Sequence, residues 1–117
     1  MMEAFELDWL GGPTERAFRK LRPGIESFPW GTLNPADYPP LLVERARESW
    51  TEAAWNEYCT AAGFTVMLRA FLEARVPLDL VGMASDFIVD EVLHAELTSR
   101  LAMELGGAPL DGSTSPR

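Results

Sequence analysis

Residues with core character recur at spacings of three and four along two long stretches of the chain. In the first, from about Leu41 to Arg75, the line runs Ala46, Trp50, Ala53, Glu57, Ala61, Phe64, Leu68 and Phe71, and no breaker interrupts it. In the second, from Pro77 to Leu105, it runs Leu80, Ala84, Phe87, Glu91, His94, Thr98 and Leu101. Val76-Pro77 separates the two, and Gly106-Gly107 is a good stop signal for the second. The pattern predicts an all-α fold whose main element is an antiparallel helical hairpin. Each helix carries a second apolar stripe: Trp55, Cys59, Ala62 and Val66 on the first, Val89, Leu93 and Leu97 on the second. A hairpin buries one face of each helix, so the second stripes need another surface.

Upstream, residues 1–40 read as an irregular segment with one short helix, Pro13 to Leu21, and then Pro23, Pro29, Pro35, Pro39 and Pro40, which forbid a long helix. Asp37 is placed to cap the first long helix, with both following prolines tolerated in its first turn. Trp9, Phe18, Phe28 and Trp30 give this segment the means to fold over the hairpin, and a second subunit is expected to cover the rest. The division is therefore 1–40, a hairpin over 41–107 and a disordered tail over 108–117.

Length, charge and cysteine content narrow the setting. The 117 residues suit one domain, and 47% hydrophobic residues suffice for a core. A net charge of −8 argues against nucleic acid or an anionic membrane as partner, since both call for a basic face. The single cysteine, Cys59, reads as a small buried hydrophobe and cannot form an internal disulfide. With no signal pattern and no long uncharged apolar run, a soluble cytoplasmic protein is expected.

Charged residues on the core line change this picture. Glu91-x-x-His94 sets a carboxylate beside the chain's one histidine, a helical turn apart, and Glu57 lies on the facing line. Counted from the Val76-Pro77 turn, Glu57 and Glu91 come within about one turn of the same height at roughly 1.5 Å per residue. Carboxylates with imidazole suit iron or manganese, where a sulfur-rich set would suit zinc or an iron–sulfur cluster. One Glu joined to a Glu-x-x-His pair is half of a di-iron carboxylate ligand set. Two copies related by a two-fold axis would complete it, with two ions per dimer. Asp90, four residues before His94, is placed to accept the free ring N–H of that histidine or of its counterpart in a second copy.

From Trp50 to Gly107 the chain resembles the ferritin-like superfamily. The likeness rests on Glu57 with Ala61 and Phe64, then Pro77, Asp90-Glu91, His94-Ala95 and Gly106-Gly107. It is similar in particular to bacterial ferritin-like domains and to encapsulated ferritins, whose short helical subunits complete the metal site by dimerising. The resemblance implies a four-helix bundle formed by self-association, as a homodimer or higher even oligomer. A paralogous or encapsulating chain is the alternative partner. It further implies an iron site, with manganese as the alternative, held by Glu57, Glu91 and His94, and O₂-dependent iron oxidation or related di-iron oxidase chemistry. The chain departs from family members with a full site, which use four helices where this sequence has two.

Two plainer readings stand beside this one. Glu57 hydrogen-bonded to His94 would need no metal, and the hairpin would then be a helical interaction module assembling with another chain. Trp50 and Phe64 read as core aromatics, and Glu48, Glu52, Glu96 and Glu104 as solvated residues pointing away from the seam.

Overall fold

The computed structural model describes residues 7–106. The expectation of a disordered tail over 108–117 lies outside the described residues, as does Gly107. Three α-helices account for most of the described chain, and no strand occurs among the described residues: α1 (Gly12–Lys20), α2 (Pro40–Ala74) and α3 (Leu78–Glu104). Single 3-10 turns, Ile25–Ser27 and Pro35–Asp37, punctuate the proline-rich stretch between α1 and α2. The long helices begin and end within a residue of the positions that periodicity predicts. At about 1.5 Å per residue the 35 residues of α2 span about 52 Å, which matches the 53 Å long axis of the molecule.

Local chemistry fixes the helix ends. Pro39 is the N-cap of α2 and Pro40 its first residue, where a missing N–H is no loss. Asp37 does not cap the helix. It ends the preceding 3-10 turn, and Asn34 caps that turn by accepting from the Ala36 N–H at 3.1 Å. At the other end of α2, Arg75 takes a left-handed conformation (φ 54°), and its N–H and that of Val76 close back on the Leu72 and Phe71 carbonyls. Pro77 then caps α3 and turns the chain antiparallel.

The two long helices meet through small residues. Thr51 and Ala54 of α2, and Ala84, Ala95, Ser99 and Ala102 of α3, are buried, and Ala54 and Ala102 have no exposure at all. Side chains this short let the helix backbones approach closely, so the seam centres on them. Ala54 is about 60° round the helix from Glu57, given 3.6 residues per turn. Of the line that sequence periodicity put at the centre, Ala84 is buried, Glu57 and Glu91 are part-buried and His94 is exposed. Ala54→Leu is expected to destabilise the protein by about 1–3 kcal/mol, the range for overpacking a tight core, as a lowered denaturation midpoint.

The N-terminal segment folds over the hairpin, as its aromatics suggest, but covers only the end far from the turn. Trp9 packs on Phe18 and Phe28 on Trp30, with ring centroids 5.9 and 5.8 Å apart. Ion pairs pin the segment to α3. Arg22, its side chain wholly buried, places Nε 2.6 Å from Glu96 Oε1, while Arg100 Nη1 donates to Glu96 Oε2 at 3.0 Å. Arg22 Nη2 also donates to Glu26 at 2.9 Å, and this bond, followed by Arg100, holds the Glu26 carboxyl below its ordinary value. Glu96 is thus 4% exposed rather than solvated. Toward the turn no other described segment covers the helices, and Val66 is 70% and Leu78 84% exposed, with Met83 and Phe87 also open. Cys59, on the second stripe of α2, is exposed rather than buried. No described helix is long and apolar enough to cross a membrane.

Candidate metal centre

The hairpin brings Glu57, Glu91 and His94 together. One ligand atom from each lies within 4.8 Å of the others, so the three residues that share a height in the sequence also share a site. His94 Nδ1 is 3.6 Å from Glu57 Oε2 and 3.6 Å from Glu91 Oε2. Both distances exceed hydrogen-bonding range, so a Glu57–His94 hydrogen bond does not hold the cluster. The side chains of Glu57 and Glu91 are 30% and 15% exposed, whereas His94 is half exposed.

Crowding of two carboxylates sets the electrostatics. The Glu91 carboxyl is raised above its ordinary value, first by its hydrogen-bonding proximity to Glu57 and then by desolvation and by the charge of Glu57, with His94 opposing. Glu91 Oε2 is buried and has no hydrogen-bond partner among the described residues. An acceptor left unmet in this way costs about 1–3 kcal/mol, more when charged. The donor set fits a hard or borderline divalent cation: two carboxylates, one imidazole nitrogen and an orphaned oxygen aimed among them.

Surrounding residues differ in how closely they follow the sequence. Phe64 stacks against Phe87 at 5.7 Å across the hairpin, on the turn side of the cluster. Asp90 is exposed, and no hydrogen bond joins it to His94. Trp50, expected in the core, is partly exposed and lines a half-open apolar cavity of about 660 Å³ that reaches Glu57 and His94. The outer wall of that cavity is Phe28, Pro29, Trp30, Thr32 and Leu33. Glu104 lines its far end, is part-buried, and accepts a hydrogen bond from the Gly31 N–H. Sequence periodicity gives no sign of this cavity, because residues 28–33 have no helical pattern. Their one signal is aromatic content.

Compared with known proteins, the chain matches no family model, no curated protein and no solved structure.

Proposed function

We propose that this chain is one half of a ferritin-like dinuclear carboxylate protein. Glu57, Glu91 and His94 hold one iron or manganese ion, and a second copy of the hairpin brings a second set and a second ion across a two-fold axis. The observation that carries this reading is the buried, unpartnered Glu91 Oε2, 3.6 Å from His94 Nδ1 and crowded by Glu57. A cation between these groups removes the like-charge penalty and satisfies the orphaned oxygen together. In this arrangement Glu57 and Glu91 neutralise the ion, and His94 supplies a neutral nitrogen donor. Carboxylate-bound iron supplies one-electron chemistry with O₂, and in ferroxidase turnover Fe(II) is itself the substrate.

The second copy has a natural place. Leu80, Met83 and Phe87 lie at spacings of three and four on the side of α3 that continues into Glu91 and His94, and all three are exposed. Asp90 is exposed beside them, where it can accept from the histidine of the second copy. Self-association over this face would complete a four-helix bundle.

The test is O₂ uptake after anaerobic loading of metal-free protein with Fe(II). Consumption clearly faster than in protein-free buffer is expected, with Glu91→Ala reduced to the buffer rate. Equal rates for wild type, variant and buffer would contradict oxidase chemistry.

A further inference from the structure

The cavity beside the cluster has the size and composition of a small-molecule site. Its volume of about 660 Å³ falls in the range of roughly 300–1,000 Å³ typical of ligand pockets, and its lining is largely apolar and aromatic. Three separate segments build its walls: residues 28–33, the first half of α2 through Trp50, and the last half of α3 through Leu97 and Leu101. It runs from the level of His94 to that of Glu104, ten residues or about 15 Å along α3, so it is elongated.

Charge decides which end of a ligand goes where. The titratable side chains in the lining are Glu57, His94 and Glu104, and no lysine or arginine joins them. Arg100, which stacks on Trp30 at 4.4 Å, is held by Glu96 and Glu26. If Glu57 is engaged by a metal ion, Glu104 is the carboxylate left for a ligand, and the Gly31 N–H fixes it in position at the mouth far from the cluster.

We propose that this cavity binds an elongated apolar amine, its ammonium group on Glu104 and its apolar body along Trp50, Leu97 and Leu101. Binding is independent of the metal, whereas the orientation, with the apolar end directed at Glu57 and His94, rests on the metal reading. In the metal-free protein an acid of the same length is disfavoured, because Glu57 and Glu104 repel it and no cation among the described residues of the lining receives it.

The test uses metal-free protein in chelator at neutral pH and three probes of one chain length: octylamine, octanol and octanoate. Binding is read by tryptophan fluorescence, since Trp30 and Trp50 line the cavity, and by calorimetry. Octylamine is expected to bind at least about 10-fold more tightly than octanol, as one charge-assisted hydrogen bond provides, and octanoate most weakly. Because Glu57 is free in metal-free protein, this comparison is made in a Glu57→Gln background, where Glu104→Gln keeps an oxygen for the Gly31 N–H and should lower octylamine to the level of octanol. Leu97→Trp, checked for an intact helical melt, fills the cavity and should remove all binding. Octanoate binding as well as octylamine, or wild-type binding in both variants, would overturn the proposal. So would apparent affinities that weaken as protein concentration rises, which would mean that a second copy fills the cavity. Fe(II) binding without amine binding would remove this proposal alone, whereas amine binding without Fe(II) binding would sustain the cavity and remove the metal reading.

Discussion

Glu91→Gln is expected to raise the melting temperature of the metal-free protein and, in the same molecule, to abolish metal binding. In the metal-free fold Glu91 sits against a second carboxylate with a buried oxygen lacking any donor. A glutamine amide removes one charge and can donate to Glu57, so the gain should be about 1.5–3 kcal/mol, the scale of a hydrogen bond to a charged group. The same change takes away a ligand. In wild type, free metal at 100 times its Kd stabilises the fold by about 2.7 kcal/mol, on the order of 10 °C for a domain of this size. Thermal melts should therefore rank the variant above wild type in chelator, and added metal should raise wild type but not the variant. The pH dependence has a definite sign. A carboxyl whose pKa is raised by folding contributes stability that is present below the unfolded value and lost as pH rises through the folded value. The variant's advantage in chelator should accordingly appear at neutral pH and vanish in acid. A wild-type protein more stable than the variant in chelator would show that Glu91 is not electrostatically crowded.

Arg22→Ala should be the most damaging single change outside the helix seam. The Arg22 side chain is fully buried against Glu96, itself 4% exposed, and removing one partner leaves a buried charge short of compensation. Breaking such a pair typically costs about 3–5 kcal/mol. Arg100 still reaches Glu96 at 3.0 Å, which places the expected loss near about 3 kcal/mol, or on the order of 10 °C in melting temperature. The double variant Arg22→Met, Glu96→Leu should recover most of that loss, because apolar residues of similar volume replace buried ion pairs without penalty. A near-neutral Arg22→Ala would mean that residues 19–30 are not held by this network, and the outer wall of the cavity would lose its anchor.

The two long helices were legible because their apolar positions keep a period near 3.6 for many turns and proline marks their ends. The convergence of Glu57, Glu91 and His94 was legible for the same reason, since antiparallel helices of known rise bring equal heights together. The full set of seam residues was only partly legible, since Ala84 is on the predicted line and Ala54, Ser99 and Ala102 are not. Ala54, Ser99 and Ala102 carry little hydrophobic signal, yet their small volume lets the backbones approach, and close approach decides the centre of the interface. Glu96 looked solvated because its partner Arg22 is 74 residues away in a segment without periodicity. The cavity escaped for a related reason, being built by residues 28–33 folding across a groove that only the assembled helices create. Cys59 looked buried by residue type, but it is exposed, as are Ala62 and Val66 of the same stripe.

The most direct test of the metal reading is the metal content of protein purified anaerobically, wild type beside His94→Ala. The expected result is close to one iron or manganese per chain in wild type and background in the variant. Background metal in wild type, or equal metal in both, would contradict the assignment of Glu57, Glu91 and His94 as a metal centre.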